Sequence, residues 1–455
     1  DSGTLWEAES KLMTVSPLAT PKATAYRILI LADHTFRDIP GVALVKAQIE
    51  KYSLETGVLV EVLICDIHLF DAISDRWHPH MVVIPHLHDK GRNGLVDRVR
   101  RRGGLCVVLP TEGRPNTEEA MHWAANDFAH ELCDLFLCWS NEFALRLPDS
   151  IIRTVTGCQR FDFYFSPVEK LVDDKQVVLS KYGLDASRPI ITVASSFPYA
   201  KFARHSTDFL IRDFENLGVN KGRVKDPVVW VRAEAEAFTR FQAWIRVLAC
   251  EYPDYQIIVK PHPAEDVRDW IKFCGETHVD LMLNDYIFNL FQVSTVHVAR
   301  VDCMTIPEAW IAGVSVIQCR LGDVGKSGPG RDAAGVGSLP VSEPGDFIYY
   351  VADHIKYGHD GDDEVGQEQY ISKWLGTMPD SSYRIAKAIL DLLASKQPKT
   401  FKEPDLNGMA EIHNILVNHS NEHAVPKTDS IGQFAKSVRY EAVQDWTNRA
   451  RALLK

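Results

Sequence analysis

The sequence lacks the features that mark membrane-spanning, disulfide-bonded and nucleic-acid-binding proteins. No apolar run approaches the length needed to cross a bilayer, and no signal peptide is evident. The nine cysteines are scattered without a C-x-x-C pair, which indicates a reducing compartment and argues against a disulfide framework or a structural zinc site. The net charge of −11 argues against general nucleic-acid binding, which needs a basic face. A cytoplasmic enzyme is therefore expected.

The first half of the sequence alternates predicted strands with helical stretches. The chain has 455 residues, 45% of them hydrophobic, which is enough for two globular domains with buried cores. Strands that alternate with helices at short spacing predict β-α-β units and a parallel, Rossmann-like sheet. The segment HTFRDIPG (34–41) is predicted as a loop before the first helix. The predicted strands of this half lie at 27–33, 58–64, 81–84, 105–109, 135–139 and 152–155.

A second α/β unit follows a polar stretch that is predicted to act as a hinge. Its predicted strands lie at 189–194, 257–259 and 296–298, and a long helix precedes the strand at 257. Residues 396–430 are polar with no clear period, whereas Ile431 to Lys455 predicts an amphipathic helix that packs on the globular body. The predicted organisation is a lead-in over 1–25, an acceptor and catalytic domain over 26–165, a donor-binding domain over 166–395, and a linker with a terminal helix over 396–455.

The segment Lys260-Pro261-His262-Pro263 has the residues of a phosphate site. It follows a buried strand, and ligands of open α/β sheets bind outside the carboxyl ends of strands. The two prolines fix φ and hold the loop rigid. Thr305 is predicted to cap a helix whose positive end favours phosphate. Lys260, His262, Pro263 and Thr305 are thus candidates for nucleotide binding. The alternative is a proline-rigidified loop with an incidental histidine.

This segment, together with DCMTIPEA (302–309), resembles the carboxyl-terminal half of GT-B glycosyltransferases that carry an HP motif. Such enzymes include bacterial sialyltransferases, transferases of 3-deoxy-manno-octulosonic acid (Kdo) and CDP-glycerol polymerases. The chain is most similar to the bacterial surface carbohydrate biosynthesis protein family, and the resemblance covers roughly residues 26–320. Cys158-Gln159 departs from the Asn-Pro expected there. The resemblance implies an α/β fold of the GT-B type, with two Rossmann-like domains and a cleft between them. The supporting segments in the first half are ADHTFRDIPG, PTEG and TGCQRFD.

Four residues of the first half are candidates for catalysis or substrate binding. In the Kdo transferases that this chain resembles, a carboxylate of the first domain acts at the sugar carbon or moves the acceptor proton, and Glu112 matches that position. The alternative role of Glu112 is to cap the amino-terminal end of the next helix. Asp33 is the second candidate acid, or part of a turn. Arg37 binds a substrate carboxylate or pairs with Asp38. His86 contacts a substrate, lies on the surface or, with its neighbours 88 and 89, binds a metal.

Three hydroxyl or carboxylate groups of the second half complete the candidate set. Ser195 and Ser196 follow the first strand of the second unit and bind phosphate or sugar, or else shape a turn. By resemblance, Glu308 accepts a hydrogen bond from the ribose of the nucleotide, because the glutamate of an E-A pair has this role in GT-B enzymes. The alternative is that Glu308 interacts with the dipole of its own helix.

The resemblance implies a glycosyltransferase of capsule or lipopolysaccharide biosynthesis. The expected reaction transfers Kdo or a related ulosonic acid from a CMP-activated donor to a glycan acceptor. No metal or other cofactor is expected, because Lys260, His262 and the helix start at Thr305 would offset the phosphate charge. Expected partners are the nucleotide sugar and the acceptor, and no nucleic acid; the alternative to packing of the terminal helix is its attachment to a membrane or to an assembly complex. The alternatives are a CDP-polyol phosphotransferase, a UDP-sugar 2-epimerase and a non-catalytic assembly scaffold.

Overall fold

Two parallel β-sheets, each surrounded by helices, make up the computed structural model of the protein. The structure describes residues 25–87, 90–111, 129–213, 226–301, 303–322, 337–338, 340–358, 364–376, 379–398, 406–423 and 437–455. The predicted α/β fold of the GT-B type, with two Rossmann-like sheets, is confirmed.

The first sheet has the order β2-β1-β3-β4-β5-β6, with every strand parallel to its neighbours. Its central strands are runs of Val, Ile and Leu that are buried on both faces, as strands covered by helices on two sides must be. This composition is why the predicted positions of these strands agree with the structure to within a few residues. The strands are β1 Tyr26–Ala32, β2 Val60–Asp66, β3 Met81–Ile84, β4 Leu105–Val108, β5 Leu135–Cys138 and β6 Arg153–Val155.

The second sheet has the order β12-β11-β10-β7-β8-β9, again with parallel pairing. Because β7 pairs with both β8 and β10, the carboxyl ends of these three strands lie side by side. The strands are β7 Ile190–Ala194, β8 Gln256–Lys260, β9 Val279–Leu281, β10 Val296–Arg300, β11 Ser315–Cys319 and β12 Pro340–Val341.

Helices connect the strands and continue beyond the second sheet. The α-helices are α1 Thr35–Thr56, α2 Phe70–Trp77, α3 Lys90–Arg101, α4 Ala129–Leu132, α5 Asn141–Arg146, α6 Lys175–Tyr182, α7 Thr207–Asp213, α8 Pro227–Glu251, α9 Val267–Gly275, α10 Ile287–Phe291, α11 Thr305–Ile311, α12 Pro344–Tyr357, α13 Glu364–Tyr370, α14 Ser381–Lys396, α15 Leu406–His423 and α16 Tyr440–Leu454. Short 3₁₀ helices lie at Ile67–Leu69, Gln159–Tyr164, Val168–Leu171 and Ala200–Arg204, and a π-helical turn lies at Ile371–Leu375. No helix within the described ranges is long and apolar enough to cross a membrane.

Residues 35–41 are helical and His34 is the N-cap, so the prediction of 34–41 as a loop was wrong. The helix α1 begins at Thr35, and Nδ1 of His34 accepts from the backbone N–H groups of Phe36 and Arg37, both at 3.1 Å. Pro40 and Gly41 signal a turn, but both lie inside the helix. A Cβ atom on Gly41 would lie 2.7 Å from Cγ of Gln159, so the glycine allows a close approach between α1 and the 3₁₀ helix at 159–164. Tertiary packing here outweighs the local turn signal.

The polar stretch 396–430, which shows no clear hydrophobic period, contains the helix α15. Its residues Ile412 and Leu416 are buried in the core of the first domain, where the helix packs on α2, and most of its other described side chains are at least partly exposed. Two buried hydrophobic residues one turn apart are too weak a pattern to predict a helix from the sequence. The helix α14 also packs against the first domain, on α1, although it falls within the range 166–395 of the predicted second domain.

The terminal helix α16 packs on α1 and reaches the second domain, as predicted for the tail. It begins at Tyr440, nine residues after Ile431, and the segment 424–436 lies outside the described residues. Trp446 is 2% exposed and donates from Nε1 to the hydroxyl of Tyr286 at 2.8 Å. Its ring also packs edge-on against Phe163 of the first domain and Phe288 of the second. The tail thus joins the two sheets through aromatic contacts.

We expect Trp446→Ala to destabilise the protein by about 3–5 kcal/mol, because it leaves a cavity between the domains and removes the donor to Tyr286. Chemical denaturation followed by circular dichroism measures this loss. Gln444→Ala, on the exposed side of the same helix, is the matched control and should change stability by less than about 0.5 kcal/mol. Equal stability of the two variants would contradict the packing.

Candidate functional site

The carboxyl edge of the second sheet carries most of the predicted donor-binding residues. Ala194 at the end of β7 pairs with Lys260 at the end of β8, and with Ala299 near the end of β10. Ser195 and Ser196 therefore lie beside the loop that carries His262 and Pro263. Strand ends of a parallel sheet are the usual ligand position in this type of fold. The structure thus places these segments along one edge of the sheet, and their role in donor binding stays a prediction.

A buried carboxylate that the sequence analysis did not select, Glu265, holds this edge together. It accepts hydrogen bonds from the hydroxyl of Ser195 at 2.6 Å, the backbone N–H of Phe197 at 2.6 Å and Nε1 of Trp270 at 2.7 Å. Ser195 in turn accepts from the backbone N–H of His262 at 3.3 Å. The side chain of Glu265 thereby connects the segment after β7 with the segment after β8. Ser195 has a positioning role in this arrangement.

Burial has a direct electrostatic consequence at Glu265, which is 6% exposed. It raises the pKa of this carboxyl group from 4.5 to about 7, even though the three donors favour the ionised form. The cost of desolvating the carboxylate is therefore larger than the gain from its hydrogen bonds. Shifted pKa values of this kind are enriched at functional sites, and Glu265 lies in a strand-end loop.

The loop after β8 holds the imidazole of His262 in a defined state. Nδ1 of His262 accepts from the backbone N–H of Ala264 at 3.1 Å, and the carbonyl of His262 accepts from the N–H of Glu265 at 2.9 Å. Because Nδ1 is an acceptor, the ring proton lies on Nε2, which makes Nε2 a donor. An imidazole N–H of this kind suits a phosphate or hydroxyl oxygen. Pro263 lies between His262 and Ala264, which this first hydrogen bond joins.

Lys260 ends β8 and lies between the two domains. Its Nζ donates to the backbone carbonyl of Asp285 at 2.6 Å and is 5.3 Å from the ring centroid of Phe36, in the first domain. Burial lowers the pKa of Lys260 to about 8, and the negative charge of Asp285 opposes this shift. The ammonium group is therefore charged at pH 7 but poorly hydrated, which favours binding of an anion.

Ser196 contacts Arg300 through its backbone carbonyl. Its carbonyl accepts from Arg300 at 3.0 Å, and Arg300 forms a buried pair with Glu234 through two hydrogen bonds of 2.9 and 2.7 Å. This pair ties the end of β10 to α8 and to the segment after β7. The buried pair of Arg300 and Glu234 therefore helps to fix the position of the segment after β7 relative to β10.

Thr305 does not cap α11 with its side chain, contrary to the prediction. The helix begins at Thr305 itself, and the preceding Met304 makes no side-chain cap. The hydroxyl of Thr305 is bonded instead to Nε2 of His297 at 2.8 Å and to Sγ of Cys303 at 3.1 Å. His297 is fully buried, which lowers its pKa to about 3 and keeps it neutral. The hydroxyl of Thr305, which the sequence predicts as a helix cap, is therefore hydrogen-bonded to the buried His297.

Glu308 connects the second domain to the first. Its side chain is completely buried, and its two oxygens accept from the guanidinium of Arg160 and from the hydroxyl of Tyr164, the latter at 2.9 Å. Arg160 and Tyr164 lie in the 3₁₀ helix that follows the first sheet. Arg160 therefore forms part of the contact between the two domains. The ribose contact predicted for Glu308 stays a prediction, since both of its oxygens have protein partners in this structure.

Asp33 and Arg37 lie at the carboxyl edge of the first sheet. Arg37 donates to Asp38 from Nε at 2.6 Å and from Nη2 at 3.0 Å, and it lies 3.4 Å from Asp33. Of the two roles predicted for Arg37, the structure contains the ion pair with Asp38. Asp38 also accepts from the backbone N–H of Asp33 at 3.0 Å, which fixes the turn between β1 and α1. Asp33 remains partly exposed, with 18% of its side-chain surface accessible.

His86 follows β3, and Thr111, which precedes Glu112, follows β4. Since β3 pairs with β1 and β4 pairs with β3, Asp33, His86 and Thr111 lie along the same edge. His86 is partly buried and Thr111 is buried. Glu112 lies outside the described residues, as do residues 88 and 89. The catalytic role of Glu112 and the contacts of His86 therefore stay predictions.

Sequence reasoning missed Glu265 because nothing in the local sequence distinguishes its role from that of a helix cap. Glu265 lies in PHPAED beside Asp266, where an acidic pair reads as the start of the next helix. Asp266 does cap α9, accepting from the N–H of Arg268 at 3.1 Å. Only the fold reveals that the neighbouring carboxylate points inward.

Comparisons with known proteins find similarity in structure alone. No family model and no curated protein sequence matches the chain. Among solved structures, S. aureus MnaA with UDP is 14% identical, covers 84% of this chain and 100% of its own, and has a TM-score of 0.46. The UDP-GlcNAc 2-epimerase from Methanocaldococcus jannaschii is 11% identical, with coverage of 82% and 100% and a TM-score of 0.43. A variant of the wall teichoic acid polymerase TagF soaked with CDPG is 10% identical, with coverage of 81% and 89% and a TM-score of 0.48. At these values the similarity assigns no activity to this chain.

We expect Glu265→Gln to destabilise the protein by about 1–3 kcal/mol at pH 7, because the amide leaves one of three buried donors without an acceptor. The raised pKa also predicts a pH dependence. Between pH 4.5 and about 7 the unfolded wild type loses its proton before the folded protein does, so the wild type loses stability relative to the variant as pH rises through this window.

Denaturation at several pH values measures both effects. Glu236→Gln, at an exposed position of α8, is the control and should follow the wild type. A variant that is as stable as the wild type, or whose deficit grows between pH 5 and pH 7, would contradict this role of Glu265.

Proposed function

We propose that the protein is a glycosyltransferase of cell-surface polysaccharide biosynthesis that takes its sugar from a CMP-activated donor. The second domain holds the nucleotide and the first domain holds the acceptor and the catalytic carboxylate. The transferred sugar is Kdo or a related ulosonic acid. The single observation that carries the proposal is the edge of the second sheet, where a poorly hydrated cation and a histidine ring with a proton on Nε2 follow one strand.

This edge suits a phosphate on chemical grounds. Lys260 supplies a positive charge with reduced hydration, and His262 supplies a directed N–H donor. Hydrogen bonds in which one partner is charged are shorter and stronger than neutral ones. Glu265 and Ser195 hold the backbone of the two loops so that these donors are fixed before a ligand arrives. A preorganised site of this kind loses little entropy when the ligand binds.

The same arrangement supports transfer without a divalent cation. In the proposed reaction the nucleotide leaves with its phosphate charge, which Lys260 and His262 offset. The resemblance to HP-motif transferases supports Lys260, His262 and Pro263 as the donor site, and Ser195 and Ser196 are proposed from their position after β7. Thr305 and Glu308 stay predicted members of it, and they would have to exchange their present protein partners to contact a ligand.

The first domain supplies the candidates for acceptor activation. Asp33 and His86 lie on its carboxyl edge together with the strand end that precedes Glu112. We propose Glu112 as the carboxylate that acts on the sugar carbon or the acceptor hydroxyl, with Asp33 as the second candidate. Arg37 is held by Asp38, so it binds a substrate carboxylate only if that pair opens.

Nucleotide titration tests the proposal. We expect calorimetry to show binding of CMP in preference to CDP and UDP, and His262→Ala to weaken CMP binding by about 1.5–3 kcal/mol, the value of a hydrogen bond to a charged group. His278→Ala, an exposed histidine of the same domain, is the control and should bind CMP as the wild type does. Preference for UDP would favour the epimerase, preference for CDP the polyol phosphotransferase, and no binding the scaffold.

A second prediction concerns Glu112. If this carboxylate acts in the reaction, Glu112→Gln should retain the melting temperature and the affinity for CMP, while turnover falls by at least about 10²-fold. If it caps a helix, the melting temperature falls and turnover stays near normal. Measuring both quantities on one preparation separates the two roles. Wild-type turnover in this variant would exclude Glu112 and leave Asp33 as the carboxylate to test.

A further inference from the structure

Lys260, the cation of the proposed donor site, is held by a backbone group. Its Nζ donates to the carbonyl of Asp285 at 2.6 Å, in the segment between β9 and α10. The ring centroid of Phe36 lies 5.3 Å from the same nitrogen. Within the part of the chain that the structure describes, no salt bridge joins Lys260 to a carboxylate. A neutral acceptor therefore positions the ammonium group, and no direct ion pair cancels its charge.

The carboxylate of Asp285 is bound by other groups. Its residue is only 1% exposed. Oδ2 accepts from Nζ of Lys181 at 2.6 Å and from the hydroxyl of Tyr182. Oδ1 accepts from the backbone N–H of Tyr286 and from Nδ2 of Asn289, both at 2.7 Å. Although burial opposes ionisation, these four donors lower the pKa of Asp285. The carboxylate is therefore ionised at neutral pH.

This orientation of Asp285 affects Lys260 in two ways. With its carboxylate fixed by four donors, Asp285 contacts Lys260 through its carbonyl. A carboxylate in direct contact would form a charge-assisted pair with the ammonium group, which a phosphate would have to displace. The negative charge still acts at longer range. Burial lowers the pKa of Lys260 to about 8, and the charge of Asp285 opposes this shift. Without that charge the lysine would lose its proton at a lower pH.

Asn289 ties Asp285 to the segment that connects the two sheets. Its Nδ2, which donates to Asp285, also lies 3.1 Å from Oδ2 of Asp173. Its Oδ1 accepts from the backbone N–H of Asp173 at 3.0 Å. Asp173 lies between the 3₁₀ helix at 168–171 and α6, and Asn289 is 3% exposed. The acceptor of Lys260 is therefore fixed relative to the connection between the domains.

Other charged or titratable side chains on the elements around Lys260 carry both signs. Arg37 pairs with the two carboxylates at the start of α1. Asp285 nevertheless supplies the main electrostatic attraction at Lys260, so a change in the charge of the lysine can be traced to this residue. The other groups are Asp33, Arg37 and Asp38 beside Phe36, His262 and Glu265 in the loop after β8, and Arg439 and Glu441 at the start of α16.

We propose that Asp285 is a positioning residue of the donor site, which directs the ammonium group of Lys260 through its carbonyl and places a negative charge near it, so that Lys260 binds the phosphate of the nucleotide. The inference rests on the proposed function for the identity of this anion. None of the segments that carry the resemblance contains Asp285.

Competitive acetylation followed by mass spectrometry tests this role without a ligand. Only the neutral amine reacts, so the pH midpoint of the reaction reports the charge of Lys260, and the wild type should have a midpoint of about 8. Asp285→Asn removes the negative charge and leaves the lysine buried, so its midpoint should fall below that of the wild type. If Asp285 only packs, its replacement exposes Lys260, and the midpoint rises towards the ordinary lysine value of about 10.4.

Calorimetry with CMP at pH 6.5 and pH 9 gives a second readout. Lys260 is charged below its pKa, so at pH 6.5 the wild type and Asp285→Asn should bind CMP with similar affinity. At pH 9, each unit by which the midpoint has fallen should weaken binding to the variant by up to about 10-fold. The same loss at both pH values would contradict this role, because it indicates a structural defect that does not depend on the charge of Lys260.

Asp254→Asn is the matched control. This aspartate is exposed and belongs to the same domain, so its replacement should leave the midpoint and the CMP affinity unchanged. If Asp285→Asn does not fold, Lys181→Gln decides. Lys181 is 44% exposed, and its loss removes the cation that offsets the charge of Asp285. The midpoint of Lys260 should then rise at an unchanged melting temperature, and an unchanged midpoint would overturn the inference.

The outcomes separate this inference from the proposed function. If the wild type binds CMP but the midpoint of Asp285→Asn equals or exceeds that of the wild type, the role of Asp285 is wrong and the proposed function stands. If the wild type binds no CMP, the proposed function is wrong, and the acetylation midpoints still test Asp285. A lower midpoint in Asp285→Asn would then support its control of Lys260, and an equal or higher one would overturn it.

Discussion

The buried contact of Glu308 with Arg160 and Tyr164 fixes how the two sheets meet. A carboxylate with no exposed surface needs partners for both oxygens, because an unpaired buried charge costs several kcal/mol. Both partners belong to the 3₁₀ helix at the end of the first domain. The stacking of Phe163 on Phe288, with ring centroids 4.9 Å apart, lies at the same junction. The relative position of the two strand-end edges follows from these contacts.

The terminal segment depends on the same junction and in turn supports it. Trp446 can pack on Phe163 and Phe288 only where those rings are stacked. The backbone before α16 is then held by Asp66 and Thr35 at the first sheet. In this way residues from the last part of the chain reach the cleft between the domains. The terminal segment therefore packs on both domains beside the proposed site.

The strands and the loop after β8 were predictable because their signals are local. A run such as Ile257-Ile258-Val259 is buried on both faces, and the prolines after it end the strand. The first turn of α1 was not predictable, since Pro40 and Gly41 signal a turn and only packing against Gln159 explains the helix. The same holds for Thr305, whose hydroxyl is claimed by a buried histidine eight residues earlier. Long-range partners of this kind leave no pattern in one sequence.

A crystal structure of the protein with CMP tests the central claim most directly. The account predicts that the phosphate lies within hydrogen-bonding distance of Lys260 and His262, at the carboxyl edge of the second sheet. The outer surface of the second domain offers a different location, a groove between α8 and α9 that contains Arg246 and Lys272. CMP bound there, or at any place without contact to the loop after β8, would contradict the account.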